Sequence, residues 1–194
     1  KEINNLYSYS LFNIDYEGDY SIYLNDPRNI NLGKKLITNK KILIEKERLK
    51  EINETHYHEI LINHTTPYSP FDILENKSLL LENNFDNLNA IDWNKGCYVG
   101  QEITARMKYR GLLKKKLYAL KIKSGDVLEG DELIVDNKKI GTIVSKANSN
   151  IFAALNINFV NEIKNKNQNL VINDSLSFDF LNWKFFSIKT YWNY

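Results

Sequence analysis

The chain has 194 residues, of which 43% are hydrophobic and 26% charged, a composition typical of a globular protein with one large domain or two small ones. Its formal net charge of +2 is too small to draw it to nucleic acid or membrane by a global field. The single cysteine excludes an internal disulfide, the first ten residues lack a signal-like apolar core, and no apolar run reaches the ~18 residues of a membrane helix. We therefore expect a cytoplasmic protein that does not enter a membrane.

The first third of the chain predicts short strands and one helix. Aromatic-rich segments at 7–13 and 20–25 read as strands with a turn at 17–19, and shorter strands are expected at 35–37 and 42–44. A helical pattern runs from 46 to about 63 and ends before Pro67 and Pro70. Residues 68–90 read as irregular, followed by a strand-like piece at 90–93.

The pattern changes from helical to alternating near Leu112. A helix is expected after Gly100, ending at Gly111. Beyond it, Tyr118, Leu120 and Ile122 share one face of a strand. A strand pair turns at 136–137, with a bulge expected at Gly141, and five or six short strands in all predict a small antiparallel β-barrel. The prediction is an α+β protein with one domain at 1–112 and a barrel at 113–194.

The segment 94–111, NKGCYVGQEITARMKYRG, places the only cysteine between two glycines. Lys95 lies two positions before Cys97, and a helix begins a few residues after it. A cation and the positive end of a helix both favour the thiolate, and flanking glycines leave the sulfur approachable. On residue type alone, Cys97 is either such a functional thiol or a buried, space-filling residue.

The charged residues near Cys97 do not indicate one function by themselves. Glu102 and Arg106 have the spacing of a helix ion pair. A basic run either forms a solvated face or contacts RNA; it comprises Lys108, Arg110, Lys114, Lys115 and Lys116. One cysteine and three scattered histidines, His56, His58 and His64, make a poor metal-ligand set, so we expect no metal site. A conventional iron–sulfur cluster takes several thiolates, which this chain alone cannot supply.

The string KGCYVGQE at 95–102 closely resembles the YgfZ family, relatives of the glycine-cleavage T-protein (aminomethyltransferase). Weaker resemblances are DPR at 26–28, Leu32-Gly33 and Tyr57-His58. The resemblance implies a T-protein-like lobe at 1–112, built as part of a ring around a tetrahydrofolate site. It also implies a role in iron–sulfur cluster assembly or maintenance, including that of tRNA-modifying enzymes.

Carried over by resemblance, the functional residues are Cys97 as the functional thiol with Lys95 and Glu102, and the folate-contacting residues are Glu82, Tyr98, Gln101 and Arg106. The chain departs from the family pattern at Glu59, Asn63 and Thr65, where the family has arginine, an acid and glycine. Family members also usually carry a further N-terminal segment that forms one wall of the folate site. We therefore expect weak tetrahydrofolate binding by these residues alone.

Three functions fit this reading. The favoured one is a non-enzymatic accessory factor that acts through Cys97 on iron–sulfur enzymes or assembly proteins. The alternatives are a folate-dependent aminomethyl or one-carbon transferase, and a tRNA-binding module that uses the basic run.

Overall fold

The computed structural model describes residues 6–43, 49–166, 169–173 and 175–181. Within these ranges the chain is mixed α/β, with two antiparallel sheets, three α-helices and a 3₁₀ turn at Ile30–Leu32. No helix in the described ranges is both long and apolar enough to cross a membrane.

A three-stranded sheet opens the described chain. Its strands are β1 (Tyr7–Leu11), β2 (Ile22–Asn25) and β3 (Lys34–Thr38), in the order β1-β3-β2. The strand predictions at 7–13, 20–25 and 35–37 are confirmed, but β1 and β2 both pair with β3 and not with each other. The order places Leu36, which is fully buried, at the centre of a small core with Leu11 and Ile42.

The predicted strand at 42–44 is wrong for residues 42–43, and residue 44 lies outside the described ranges. Ile42 packs into the small core, and its N–H donates to the Tyr9 hydroxyl at 3.1 Å instead of to a strand partner. The strand-like piece at 90–93 is also irregular in the structure.

Helix α1 (Glu54–Asn63) begins later than predicted. Residues 49–53 are not helical, and 46–48 lie outside the described ranges. The physical reason is a cap: the Asn53 side chain accepts a hydrogen bond from the His56 N–H at 2.8 Å, which satisfies a free donor of the first turn. The predicted end near 63 is confirmed.

Helix α2 (Gln101–Tyr109) confirms the helix predicted after Gly100. Gly111 follows it with a φ of 62°, a left-handed conformation typical of a glycine beyond a helix end. A third helix, α3 (Ile157–Asn165), was not predicted. Its first turn is capped by the Asn156 side chain, which accepts from the N–H groups of Asn158 and Phe159.

The second sheet has six antiparallel strands in the order β5-β6-β7-β4-β9-β8. They are β4 (Lys115–Ser124), β5 (Glu132–Val135), β6 (Lys138–Ala147), β7 (Asn150–Asn156), β8 (Leu170–Asn173) and β9 (Leu176–Phe180). The edge strands β5 and β8 approach within 8 Å between Cα atoms, so the sheet is nearly closed and the predicted barrel is confirmed. Asp136 and Asn137 turn the β5–β6 hairpin with φ of 49° and 58°, and the register shifts beside Gly141 as expected for a bulge.

Strand β4 is buried on both faces. Tyr118 and Leu120 point into the barrel core, as their alternation predicts. Leu117 and Ala119 point outward, where they pack with Phe152 and with Ile62 of α1. Helix α1 therefore covers the outside of the barrel.

A buried carboxylate joins α1 to the barrel. The His58 Nε2–H donates to Asp72 Oδ1 at 2.9 Å, the Tyr68 N–H donates to Oδ2 at 2.7 Å, and the Ser145 hydroxyl of β6 donates to Oδ1. Asp72 is 2% exposed, so water does not solvate it. A buried carboxylate is tolerated only with such donors, so the three segments stabilise one another.

We predict that Asp72→Asn lowers the free energy of unfolding by about 1–3 kcal/mol, because the amide NH₂ replaces one acceptor among donors in a buried site. Urea unfolding at neutral pH measures it. The matched control is Asp126→Asn, whose carboxylate is exposed and pairs with Lys146. Equal midpoints for the two variants would contradict the role given to Asp72.

Candidate functional site

The loop 94–100, which we call the motif loop, carries Cys97 at the surface, directly before α2. Cys97 is an exposed free thiol, as its functional reading requires, rather than a core residue. Gly100 has φ 86° and ψ −1°, a left-handed conformation that any side chain would strain. The glycine therefore lets the chain turn sharply from the loop into the helix.

Local contacts bring three of the predicted residues together. The Lys95 ammonium lies 4.7 Å from the centre of the Tyr98 ring, a cation–π contact. The Tyr98 N–H donates to Gln101 Oε1 at 3.1 Å, and the Gln101 N–H donates back to the Tyr98 carbonyl at 3.3 Å. These bonds tie the residues on both sides of Cys97 to the first turn of α2.

Glu102 and Arg106 form the predicted ion pair along α2. Both side chains are more than half exposed, so the pair contributes little to stability. Both charged groups lie at the surface of the same helix that begins beside Cys97.

Glu82 contacts the barrel rather than the motif loop. Its carboxylate lies 3.4 Å from the Lys115 ammonium of β4, and its carbonyl accepts from the Leu117 N–H at 2.7 Å. The structure thus places Glu82 in a half-buried ion pair, with its binding role still a prediction.

An aromatic contact that was not predicted lies beside the loop. The Lys108 ammonium, near the end of α2, sits 3.5 Å from the centre of the Trp93 ring and 5.6 Å from that of Tyr109. The two rings meet edge to face, with centres 6.3 Å apart. Partial burial lowers the pKa of Lys108, and the nearby Asp86 opposes that shift. The sequence offered one signal for this contact: an aromatic residue stands near each end of the segment 94–111, Trp93 before it and Tyr109 close to its end.

The DPR and Tyr-His segments meet in space. Arg28 donates from Nε and Nη2 to the Asp26 carboxylate at 3.0 and 2.7 Å, and Lys35 lies 3.7 Å from it. The Tyr57 hydroxyl of α1 accepts from Lys35 at 3.2 Å and from Arg28 at 3.5 Å. Burial raises the pKa of Asp26, but the Arg28 hydrogen bonds and charge outweigh it, so the net pKa is lowered.

The histidines are spread over different contacts. His58 bonds to Asp72, while His56 lies 3.5 Å from Glu59 on the exposed side of α1. Burial lowers the pKa of His64. In the part of the chain that the structure describes, no group of three or more His, Cys, Asp or Glu side chains is arranged to hold a metal ion.

No family model matches the chain. The curated proteins similar to it include the mitochondrial iron–sulfur cluster assembly factor IBA57 homolog of Dictyostelium discoideum, 34% identical over 130 residues, which are 63% of this chain and 32% of that protein. The mitochondrial IBA57 of Homo sapiens is 32% identical over 106 residues, 54% of this chain and 29% of that protein. The Saccharomyces cerevisiae IBA57 is 37% identical over 89 residues, 45% of this chain and 17% of that protein. The chain thus matches about a third or less of the length of these relatives.

The comparison contradicts the predicted cytoplasmic location. Each of these relatives is described as mitochondrial. The prediction rested on the single cysteine and on the lack of a signal-like apolar core in the first ten residues. A lone cysteine indicates a reducing compartment but does not distinguish one reducing compartment from another.

We predict that the stability difference between the wild-type chain and Asp26→Asn depends on pH. Because the pKa of Asp26 is lowered on folding, its ionised form stabilises the fold above the unfolded value of ~3.9, and this contribution is lost as pH falls through the folded value. Urea unfolding at neutral pH should show the variant less stable, with the gap closing in acid. The exposed Asp136→Asn, in the β5–β6 turn, is the control, and a gap that stays constant with pH would refute the assignment.

Proposed function

We propose that this chain takes part in iron–sulfur cluster assembly as an accessory protein that acts through the Cys97 thiol. The observation that carries the proposal is an exposed thiol in a loop whose Gly100 turns the chain into α2, with Lys95 two positions before the cysteine in the sequence. The similarity to IBA57 assembly factors supports the process. A mitochondrial setting follows those relatives.

The chemistry requires a partner chain. A thiolate binds iron, but a cluster normally has several thiolate ligands, and this chain has one cysteine. Cys97 would therefore supply one ligand to a cluster that is substrate, while an iron–sulfur enzyme or assembly protein supplies the others. Two surface grooves of about 320 and 450 Å³ lie elsewhere, lined by β1–β3 loop residues and by α3 with β5 and β8. An exposed thiol on a loop suits a macromolecular partner.

We further propose that region 1–112 is part of a T-protein-like lobe of the YgfZ type. Two observations support this: the KGCYVGQE loop, and the contact between the DPR segment and Tyr57. Asp26 and Arg28 form a bidentate pair, and Tyr57 bonds to Arg28. The DPR segment and Tyr57, which both resemble the family pattern, therefore belong to the same polar cluster.

We propose that tetrahydrofolate binding is weak. The residues that depart from the family pattern are held by contacts with the barrel. Asn63 Oδ1 accepts from Asn150 Nδ2 at 3.0 Å, and Glu59 accepts from Asn148 Nδ2 at 2.8 Å. These side chains are engaged with the β6–β7 turn. A pterin needs a carboxylate that is free to pair with its amino and ring N–H groups, and Glu82 already pairs with Lys115.

We predict a Kd for tetrahydrofolate weaker than about 1 mM, measured by calorimetry on this chain. Micromolar binding by the wild type would refute the expectation. Glu82→Gln then serves as the matched variant, since loss of that affinity on this change would identify Glu82 as the pterin-binding carboxylate.

We predict that Cys97→Ala and Cys97→Ser both abolish rescue of iron–sulfur enzyme activity in cells lacking the protein that contains this chain. The exposed position means that neither change affects stability appreciably. Activity per enzyme molecule is the measurement, with protein level as a check. The exposed Lys138→Ala, on the barrel hairpin, is the control and should rescue fully. Rescue by both cysteine variants would remove the thiol from the function.

A further inference from the structure

We propose that Lys108 is a positioning residue for Cys97: its ammonium clamps Trp93, the residue directly before the loop 94–100, onto the end of α2. The inference rests on the proposed function of Cys97. Lys108 does not need to touch the reacting atoms. It acts by closing the loop that presents the thiol.

The geometry of the segment gives such a clamp a role, because among the described residues the start of the loop is otherwise attached to α2 through the cation–π contact of Lys95 with Tyr98. Helix α2 is anchored by Thr104 and Met107, which are 7% and 9% exposed. The other end of the segment is an irregular loop containing Gly96, and its hydrogen bonds are local. The Asn94 N–H donates to Asp92 at 2.9 Å, and the Tyr98 N–H donates to Gln101 at 3.1 Å. Neither bond connects the beginning of the loop to the helix.

The Lys108–Trp93 contact makes that connection. An ammonium 3.5 Å from the centre of an indole ring is close, and tryptophan is the strongest aromatic partner for a cation. Tyr109 adds an edge-to-face contact to the same indole. The loop is therefore held at Trp93 by the last turn of α2 and at Tyr98 by the first turn, with Cys97 between the two attachments.

The charges around Lys108 do not provide another anchor for the loop. Asp86 is the acidic group that acts on the Lys108 ammonium, and it also lies 3.4 Å from the Lys116 ammonium of β4. Neither group belongs to the loop. The clamp thus depends on the cation and the indole together.

The experiment compares Lys108→Met, Lys108→Arg, Trp93→Leu and the double variant Lys108→Met with Trp93→Leu. Lys138→Met, an exposed lysine of the barrel hairpin, is the matched control. Two rates are measured on the purified chain: amide hydrogen exchange in peptides covering 94–100, and alkylation of Cys97 by iodoacetamide. Iodoacetamide is neutral, so loss of a charge does not change its approach to the thiol.

We expect Lys108→Met and Trp93→Leu each to speed loop exchange and to slow alkylation by about threefold, the factor that an exposed cation–π contact supports. Alkylation slows because a loop released at Trp93 spends less time in the conformation that exposes the sulfur. The double variant should match Trp93→Leu, because without the indole the Lys108 side chain has no ring beside the loop to hold. Lys108→Arg should keep both rates near the wild type.

Additive effects in the double variant, or unchanged rates in both singles, would overturn the clamp. So would unchanged loop rates combined with lost rescue in cells, because Lys108 would then contact the partner directly. The clamp and the proposed function of Cys97 can each fail without the other. Rescue by Cys97→Ala would remove the function and leave the loop measurements standing, whereas unchanged loop rates would remove the clamp and leave the role of Cys97 intact.

Discussion

The buried carboxylate of Asp72 is the interaction on which the arrangement of the described chain depends. Its donors come from α1, from the 68–72 turn and from β6, so one buried carboxylate joins the three segments. Tyr57 and His58 are consecutive on α1, and successive helix residues point about 100° apart. Tyr57 therefore contacts the Asp26–Arg28 pair beside the small sheet, while His58 bonds to Asp72 beneath the barrel. One dipeptide thus links both parts of the fold.

Local sequence patterns predicted the elements that depend on interactions between residues close in sequence. Alternation identified β4 and the β5–β6 hairpin, because each strand buries one residue in two against the barrel core. The start of α1 was placed too early, since the Lys- and Glu-rich residues before it favour a helix by propensity, but the Asn53 cap begins it. Helix α3 was missed because β7 runs directly into it at Asn156. The β1-β3-β2 order depends on which strands share a buried face, which no local window contains.

The same distinction holds for the candidate site. The glycine-hinged loop and the start of α2 were predictable, because Gly100 and the helical spacing after it are neighbours in sequence. The contact between Lys108 and Trp93 and the pairing of Glu82 with Lys115 were not, since they join residues from separate turns of the chain. Asp72 and Ser145 are further apart still and carry no motif of their own. Candidate functional residues that lie in one segment can be identified from the sequence, whereas the distant residues that hold the segment in place cannot.

Under the proposed function, a single exposed thiol suits an accessory role better than storage of a cluster. In that proposal, one iron–sulfur bond from a surface loop would exchange with a thiolate of the partner more readily than a cluster held by several buried ligands. The surroundings fit that exchange, since Ile103 and Tyr109 on the same helix are 60% and 71% exposed. Large apolar side chains at the surface beside a functional group are typical of surfaces that a protein covers when it binds.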